Sequence, residues 1–357
     1  MRAQQSRSEQ HARPEMRLNG RFHWLWAGIL LALLGSEWVL AKAAEKHPGM
    51  RAFAEQLAPE DRAAQERVLG LLNQAEYQAS IIKAMTRPAE ATKTWAQYRP
   101  IFMTDKRIEG GREFYAQHAE LLARVSEQYG VPAEIIVAII GVETFYGRIT
   151  GSYRVLDALT TLAFYYPPRS PYFSGELKRF LGLPDERGVA LELDKVKGSY
   201  AGAMGWGQFM PTSYATWAVD DDQDGTIDLW GSERDICASV ANYLAEHGWR
   251  SGERVADPVA LPAGADVDAL LATGIEPRLD RHSLSAAGIE LPQGIELATL
   301  VDLESPGKPT EYWLGYRNFY VLTRYNRSSF YAMSVLQLAQ ALREARISSR
   351  QVARGAP

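Results

Sequence analysis

Cys237 is the only cysteine in this chain of 357 residues, and that scarcity constrains how the fold can be stabilised. One thiol can form neither an intrachain disulfide nor a cysteine-rich zinc site. A buried apolar core therefore has to hold the structure together, and the length allows a sizeable core and about two to three domains. Hydrophobic residues make up 46% of the sequence and charged residues 23%, which argues against a disordered chain.

Several classes of enzyme and binding protein are excluded by the patterns that the sequence lacks. The six histidines never fall into the HExxH spacing of zinc proteases. Neither the GxSxG of α/β-hydrolases nor the GxxxxGK[ST] of P-loop proteins occurs. The formal net charge is -4 and no basic block stands out, which argues against a nucleic-acid partner.

The first 43 residues are typical of an export signal. Twelve apolar residues at 24–35 are too few to span a bilayer comfortably, but they suit the apolar region of a secretory signal. Arg17 and Arg21 precede this run, and an Ala-Lys-Ala cleavage site follows at 41–43. Counted from Met1 the segment is long for a signal, so Met16 is an alternative start. We therefore predict an exported, periplasmic protein.

The alternative for this segment is an uncleaved membrane anchor, because WVLA at 38–41 extends the apolar stretch. No cysteine lies near the cleavage site, so a lipid-anchored lipoprotein is excluded. Residues 1–43 carry six basic and three acidic side chains, and their removal takes the formal charge from -4 to -7. The mature chain is therefore predicted to be soluble and acidic.

Most of the remaining chain shows helical periodicity. Between about 50 and 130, residues such as Phe114, His118 and Val125 recur at helical spacing, and His118 is predicted to be a packed core histidine. From about 251 to 325, prolines separate short runs such as IELATLVDL and EYWLGY, which predict a small β region. Residues 328–346 return to helix. These patterns predict a predominantly α-helical α+β fold.

One predicted helix, PAEIIVAIIGVETFYGR, places a glutamate among apolar side chains. Pro132 suits its first position. Ile136, Ile140 and Glu143 fall on one stripe, whereas Glu134 points the opposite way and is expected to face solvent. A carboxyl group in such surroundings is disfavoured as an anion, so its pKa rises and it can act as a general acid.

The helix alone leaves an equally good alternative for Glu143. A carboxylate among apolar residues can also be a structural partner of a buried arginine, and Arg148 and Arg154 are the nearest candidates.

A glycine-rich loop at 198–209, GSYAGAMGWGQF, is the second candidate element. Its glycine spacing does not match a dinucleotide or phosphate loop. Glycines allow a ligand to approach the backbone closely, Trp206 and Phe209 offer rings for stacking, and Ser199 and Gln208 can bond sugar hydroxyls or an acetamido group. The alternative is a tight interhelical loop.

An aspartate-rich loop, DDDQDGTID at 220–228, matches the first nine positions of an EF-hand loop. Its candidate ligands are the carboxylates of Asp220, Asp222 and Asp224 and the backbone carbonyl of Thr226. The twelfth position is Gly231, which offers no carboxylate, so either Glu233 or Asp235 has to complete the site. We predict bound calcium with a structural role, against the alternative of a solvated acidic turn.

Five segments together resemble the lytic murein transglycosylase B family, the peptidoglycan-cleaving enzymes with a lysozyme-like core. They are YGVPAEIIVAIIGVETFYGR, LDALTTLAFYYPPRSPYFSGEL, KGSYAGAMGWGQFMPTSYATWAVD, SVANYLAEHGW and VLTRYNRSSFYAM. The resemblance covers about residues 53–342. It implies a lysozyme-like catalytic core at 98–250 that contains the calcium loop 220–235, after the signal peptide at 1–43. A helical domain would be formed by 44–97 and 314–357, and a small β domain by 251–313.

By this resemblance, Glu143 is the single catalytic acid and base. The implied substrate-binding residues are Tyr98, Arg169, Ser199, Gln208, Phe209, Tyr243, Tyr325, Asn326 and Tyr331. Ser199 would orient the glutamate or the acetamido group of the substrate. Where relatives have two arginines, this chain has Pro168 and Arg169, so Arg169 alone is carried over as a contact to the lactyl or peptide part. The calcium loop also matches, with Asp235 as the distal ligand.

The resemblance implies cleavage of the β-1,4 bond between N-acetylmuramic acid and N-acetylglucosamine, with a 1,6-anhydromuramic product. The expected partners are peptidoglycan glycan strands, with other cell-wall remodelling proteins as further candidates. No organic cofactor is expected.

Two other functions stay open on the sequence. A lysozyme-type hydrolase needs a second carboxylate, for which Asp157 is the nearest candidate, although its position before ALTTLAF predicts a helix N-cap. A non-catalytic glycan-binding cell-wall protein would keep the fold without the reaction.

Overall fold

A computed structural model describes residues 47–86, 93–187 and 191–355, so the predicted signal segment lies outside the described residues. The helices in chain order are α1 Gly49–Leu57, α2 Arg62–Gln74, α3 Ala79–Thr86, α4 Trp95–Phe102, α5 Asp105–Gln117, α6 Ala119–Tyr129, α7 Ala133–Thr144, α8 Val155–Tyr165, α9 Ser170–Arg187, α10 Pro211–Trp217, α11 Glu233–Glu246, α12 Val267–Leu271, α13 Arg281–Ala286, α14 Arg317–Tyr325 and α15 Ser329–Gly355. A 3₁₀ turn, Pro167–Arg169, separates α8 from α9.

Two small antiparallel sheets complete the described structure. Their strands are β1 Tyr153–Arg154, β2 Lys197–Gly198, β3 Ala256–Val259, β4 Leu279–Asp280, β5 Leu297–Leu303 and β6 Glu311–Gly315. β1 pairs with β2, and the other four strands form one sheet in the order β3-β6-β5-β4. The predominantly helical α+β class predicted from the sequence is confirmed.

Helix α7 lies at the centre of the main apolar core. Helices α5, α6, α11 and α15 pack around it, and ten of its twelve residues are buried. Burial of each Ile or Val side chain contributes ~1.5–3 kcal/mol to stability. The two residues of α7 outside this buried set are its glutamates, Glu134 and Glu143.

Three local predictions about this region need correction. Pro132 is the N-cap of α7, and the helix begins one residue later. Glu134 does not face solvent, because α15 packs over it: its side chain is 18% exposed, and a guanidinium nitrogen of Arg343 lies 4.0 Å from its carboxylate. His118 packs against Phe114, with ring centroids 4.5 Å apart, but it is only half-buried because the chain turns there from α5 to α6.

The predicted β region corresponds to the four-stranded sheet between 256 and 315. In its register Val301 lies opposite Trp313, and a separate apolar cluster that includes Leu284 and Leu300 covers the sheet. The proposed division of the chain into domains stays a prediction.

A membrane-spanning helix needs about 20 apolar residues. Within the described ranges no single helix is both long and apolar enough to cross a bilayer. Helices α6 and α7 reach the required length and composition only when taken together, and they meet at a bend of 109°.

The single cysteine lies in α11 and is fully buried in the main core. Burial raises the pKa of its thiol far above the ordinary value, so the group stays protonated in the folded protein.

Candidate active site

Glu143 lies next to the end of α7, where the chain makes a left-handed turn. The φ angles of Phe145, Tyr146 and Gly147 are 53°, 59° and 78°. Glycine adopts such angles freely, but they cost roughly 1–2 kcal/mol for a residue with a side chain. The Tyr146 hydroxyl holds the turn in place by donating to the Arg107 carbonyl at 2.8 Å.

The ring of Tyr146 occupies a slot that exists because two helices lack side chains there. A Cβ atom at Gly141 of α7 would lie 2.6 Å from the Tyr146 hydroxyl, and one at Gly111 of α5 would lie 2.6 Å from Leu342 and still closer to that hydroxyl. No real Cβ contact is that short, so both positions require glycine. The slot thereby fixes the turn that follows Glu143.

Buried Tyr331 supports the carboxylate of Glu143, and half-buried Tyr325 stacks against Tyr331. Tyr331 donates a hydrogen bond of 2.6 Å to its Oε1 atom. The Tyr331 ring stacks on Tyr325 at 6.4 Å with 12° between the planes, and Tyr325 donates to the Gly207 carbonyl at 2.7 Å. Burial raises the pKa of both hydroxyls well above the ordinary value, and the charge of Glu143 raises it further. Both tyrosines are therefore hydrogen-bond donors at neutral pH.

The structural alternative for Glu143 is not supported, because both candidate arginines bind elsewhere. A guanidinium nitrogen of Arg148 lies 3.8 Å from Glu113. Arg154 donates to Asp157 from two nitrogens, at 2.7 and 2.8 Å.

The glycine loop lies against the end of α7, where the Thr144 hydroxyl donates to the Trp206 carbonyl at 2.9 Å. Ser199 braces the loop from within, since its hydroxyl oxygen accepts from the backbone N–H groups of Ala201 and Ala203 at 3.3 and 3.0 Å. Gln208, at a φ of 52°, donates from its side-chain amide to backbone carbonyls at 150 and 205. Both predicted polar residues thus shape the loop itself.

Phe209, Tyr243 and Tyr325 form a continuous set of rings, which we call the aromatic shelf. Tyr243 lies edge-on to Tyr325 at 4.7 Å, and Phe209 is 5.8 Å from Tyr243 and 6.0 Å from Tyr325. The Tyr243 hydroxyl donates to the Arg324 carbonyl at 2.6 Å, and burial raises its pKa to about 12. The shelf joins three separate segments of the chain next to Glu143.

The remaining predicted contacts lie at the edges of this arrangement. Tyr98 is 2% exposed, and its ring packs 5.7 Å from Phe330, so protein covers it. Asn326 is half-buried and caps the C-terminus of α14. Arg169 is exposed, with its guanidinium carbon 4.7 Å from the ring centroid of Tyr172.

Sequence reasoning missed Tyr172 and Glu176, both on α9. Tyr172 is 44% exposed, and burial of part of its ring raises the pKa of the hydroxyl to about 12. Glu176 is 6% exposed and accepts from the Thr212 backbone N–H at 2.9 Å, and burial raises its pKa. The run PPRSPYF, with an aromatic residue three positions after Arg169, was a usable signal for Tyr172.

The acidic loop forms a second site beside the start of α11. Asp220, Asp222 and Asp235 each bring a carboxylate oxygen to a group whose atoms all lie within 4.8 Å of one another. That group does not include Glu233. It also does not include Asp224, whose Oδ1 accepts from the Thr226 N–H at 2.7 Å.

Two arginines anchor the acidic loop to the neighbouring helices. Asp221 is bonded by Arg124 of α6 and by Arg234 of α11, and together they lower the pKa of its carboxyl against the opposing effect of burial. Asp235 is fully buried and accepts from the backbone N–H groups of Asp221 and Asp228 at 2.8 Å each. The loop is therefore tied to α6 and α11 by its own side chains.

A family model and a curated relative both match this chain over most of its length, and they point to the same family. The family model described as Transglycosylase SLT domain matches residues 45–340. Over 314 residues, 84% of each chain, the sequence is 41% identical to membrane-bound lytic murein transglycosylase B of Escherichia coli (strain K12).

Solved structures share the same architecture. Soluble lytic transglycosylase SltB1 from Pseudomonas aeruginosa has a TM-score of 0.78 and 45% identity, covering 84% of this chain and 99% of that one. Escherichia coli lytic transglycosylase Slt35 in complex with calcium has a TM-score of 0.73 and 39% identity, covering 84% and 94%. SltB3 from Pseudomonas aeruginosa in complex with NAG-NAM-pentapeptide has a TM-score of 0.70 and 31% identity, covering 82% and 78%.

Proposed function

Because the chain belongs to the transglycosylase SLT domain family, we infer that it is a lytic murein transglycosylase acting on the glycan strands of peptidoglycan. It would break the β-1,4 bond between N-acetylmuramic acid and N-acetylglucosamine and leave a 1,6-anhydromuramic end. The observation that carries this proposal is the carboxyl group of Glu143, held by Tyr331 beside the aromatic shelf.

In the first step Glu143 acts as a general acid. Tyr331 donates to Oε1, so Oε2 is the atom that carries the transferable proton. That proton passes to the glycosidic oxygen, the bond from this oxygen to C1 of muramic acid breaks, and positive charge develops at C1. Of the three rings of the aromatic shelf, half-buried Tyr325 is the one open to a sugar ring, because Phe209 is 2% and Tyr243 7% exposed.

In the second step the same residue acts as a general base. The Glu143 carboxylate takes the proton of the C6 hydroxyl, and O6 forms a bond to C1 of the same sugar. Glu143 is then protonated again, and no water is consumed. Attack by a hydroxyl already tethered to the ring gains the advantage of an intramolecular reaction, so one acid/base residue is sufficient.

The hydrolase alternative needs a second carboxylate, and the structure accounts for Asp157 in another way. Asp157 is the third residue of α8, whose N-cap is Arg154, so the predicted N-cap role is wrong. It is 4% exposed, binds Arg154 and accepts from the Glu76 N–H at 2.9 Å. The carboxylate of Asp157 is thereby engaged by Arg154 and by the backbone before α3. A hydrolase would need this carboxylate to activate a water molecule.

The oxygen that becomes bonded to C1 of muramic acid, either O6 of the same sugar or the oxygen of water, tests this proposal directly. Digestion of purified sacculi in water enriched in oxygen-18 should release muropeptides that lack a reducing muramic end and contain no label, as read by mass spectrometry. Each product should be one water lighter than the hydrolysis product. Entry of the label, with ends that borohydride reduces, would establish a hydrolase, and binding without cleavage would establish a non-catalytic protein.

We also propose that the acidic loop binds calcium. Three carboxylates within 4.8 Å of one another provide the oxygen-only donor set that calcium prefers, and one relative has been solved in complex with calcium. Asp220, Asp222 and Asp235 would hold the ion, with Asp224 and the carbonyl of Thr226 as further ligands. The ion would join the loop to α11, a structural role outside the reaction.

The cellular location is proposed from the sequence and one relative. The signal segment at 1–43 lies outside the described residues, and the Escherichia coli relative is named membrane-bound. We propose export to the periplasm with removal of this segment, and an uncleaved anchor is the alternative. Sizing the processed N-terminus by mass spectrometry distinguishes the two. Other wall-remodelling proteins remain candidate partners that co-purification from crosslinked cells would test.

A further inference from the structure

Two arginines lie against one phenylalanine ring directly after the catalytic glutamate. The guanidinium carbon of Arg107 is 4.9 Å from the ring centroid of Phe145, and that of Arg148 is 5.0 Å from the same centroid. We call Arg107, Phe145 and Arg148 the cationic cluster. Phe145 belongs to the left-handed turn and has a φ of 53°, so the cluster is built on strained backbone, which is common at functional sites.

Arg107 is a half-buried cation that contacts aromatic rings and has no carboxylate partner among the described residues. It also lies over Phe102, 5.2 Å from that ring centroid, and burial lowers its pKa. Its buried Nε donates to no atom of the described residues, and its Nη1 reaches the Ile101 carbonyl at a long 3.5 Å. Within the described ranges no carboxylate forms an ion pair with it. Desolvating a charge without a partner is costly, so a ligand that supplies the missing negative charge would relieve that cost.

Arg148 is the accessible member of the cluster. Its side chain is 56% exposed, and its carboxylate neighbour Glu113, 3.8 Å away, is 55% exposed. An exposed ion pair of this length contributes only ~0–1 kcal/mol. The guanidinium of Arg148 can therefore exchange this partner for a ligand at little cost.

The cluster is connected to the catalytic centre through the wall of the site. The guanidinium of Arg107 lies over the ring of Phe102, and the centroid of that ring is 5.2 Å from the ring centroid of Tyr98. Tyr98 in turn packs 5.7 Å from Phe330, the residue before Tyr331. The cluster therefore follows Glu143 along the chain and is joined by ring contacts to the segment that supplies Tyr331.

Arg169 belongs to a different part of the site. Its guanidinium stacks on Tyr172 of α9. The cationic cluster is therefore a set of positive charges separate from Arg169, and it follows Glu143 along the chain.

We propose that the cationic cluster binds a carboxylate of the peptides carried by the muramic acid residues of the strand. This rests on the proposed function, which makes peptidoglycan the substrate. In a peptide-bearing strand the lactyl carboxyl of each muramic acid is converted to an amide by its bond to the peptide, so the negative charges of such a strand are the carboxylates of its peptides. A guanidinium presents paired N–H donors that match a carboxylate. The enzyme then prefers strands that still carry their peptides.

The test compares peptide-bearing glycan strands with the same strands after an amidase has removed the peptides and the lactyl carboxylates exposed by that cleavage have been amidated. On peptide-bearing strands, Arg148→Gln should lower kcat/KM about tenfold, mainly through KM, as expected for the loss of one charge-assisted contact. On stripped strands the variant should stay within about twofold of the wild type. Amidation of the peptide carboxylates should reproduce, with the wild type, the loss caused by Arg148→Gln.

Two further variants make the result specific. Arg112→Gln changes an exposed arginine of the same helix α5, paired with Glu109 at 2.8 Å, and should behave like the wild type on both substrates. Arg107→Lys keeps a charge but loses the guanidinium fork, so it should weaken the preference for peptide-bearing strands while leaving stripped strands unaffected.

Equal losses on both substrates would assign Arg148 a structural role and overturn the proposal, as would no loss on either. Failure of the proposed function is recognised separately, because the wild type would then release hydrolysed ends or nothing at all from both substrates.

Discussion

The candidate active site and the acidic loop use the same functional group in opposite surroundings. In the candidate active site, Glu143 accepts a hydrogen bond of 2.6 Å from a tyrosine hydroxyl beside stacked rings. In the loop, Asp220, Asp222 and Asp235 crowd their oxygens within 4.8 Å, and backbone N–H groups donate to them, as at both oxygens of Asp220.

This difference shows what decides the chemistry of a carboxyl group. A single carboxyl that is held by a neutral hydroxyl can serve as a proton donor and as a proton acceptor. Several carboxylates in contact repel one another, and a cation relieves that repulsion. Removal of the carboxylates should therefore abolish proton transfer in the first region and cation binding in the second.

The largest effect is expected from Glu143→Gln. The amide has the shape of the acid but can neither donate a proton to the leaving oxygen nor recover one, so activity should fall by ~10²–10⁴-fold or more. The matched control is Glu134→Gln on the same helix, which should keep its activity. Muropeptide release gives the rates, and circular dichroism checks the fold. A variant of Glu143 with more than about a tenth of the wild-type rate would remove this residue from the mechanism.

Asp157→Ala should separate a structural carboxylate from a catalytic one. It removes the partner of Arg154 and the acceptor for the Glu76 N–H, so the free energy of unfolding should fall by roughly 2–4 kcal/mol. Urea unfolding measures this loss. Activity at a temperature where the variant is folded should stay near that of the wild type. A large loss of activity without a loss of stability would revive the hydrolase mechanism.

Calcium should stabilise the folded protein. A ligand that binds the native state alone adds about 2.7 kcal/mol at a hundredfold excess over its Kd, so the Tm should rise with calcium and fall with chelator. Asp235→Ala should abolish the rise, and so should Asp220→Ala combined with Asp224→Ala. Glu233→Ala is the matched control and should leave it intact. The opposite result for Glu233 and Asp235 would reverse the assignment of the distal ligand.

The smallest effect concerns Glu176, a buried carboxyl on α9 that accepts from the Thr212 backbone N–H. Burial raises its pKa in the folded state, so the folded state binds this proton more tightly than the unfolded state does. Its contribution to stability is complete below the unfolded pKa of about 4.3 and declines as the pH rises through the raised value.

Glu176→Gln cannot ionise and should lack this decline. Relative to the wild type, its free energy of unfolding should increase as the pH rises from 4 to 8. Urea titrations at several pH values measure the difference. A constant difference across this range would show that Glu176 does not titrate between the two states.

Sequence reasoning could locate both regions because each has a strong local pattern. Helix α7 is apolar on every side, so a glutamate at 143 stands out without knowledge of its neighbours. The acidic loop is recognisable because metal ligands follow a fixed spacing along the chain. The choice of Asp235 over Glu233 came from the family resemblance, and it agrees with the group of oxygens that the structure brings together.

The contacts that complete the site could not be found in this way, because they join distant parts of the chain. The bond between Tyr331 and Glu143 spans 188 residues. Glu134 was expected to face solvent because the packing of α15 is not encoded in the pattern of α7. Arg107 lies in the polar stretch DKRIEGGRE, where nothing local distinguishes a cation stacked between two rings from a solvated one.

The buried cysteine provides a chemical probe of local unfolding in α11. Cys237 lies on α11 between Asp235, a proposed calcium ligand, and Tyr243 of the aromatic shelf. Because its thiol is enclosed and protonated, a thiol reagent can label it only when this helix detaches from the core. The labelling rate therefore measures how often α11 opens around this one residue. With no second thiol in the sequence, every labelled molecule reports that same event.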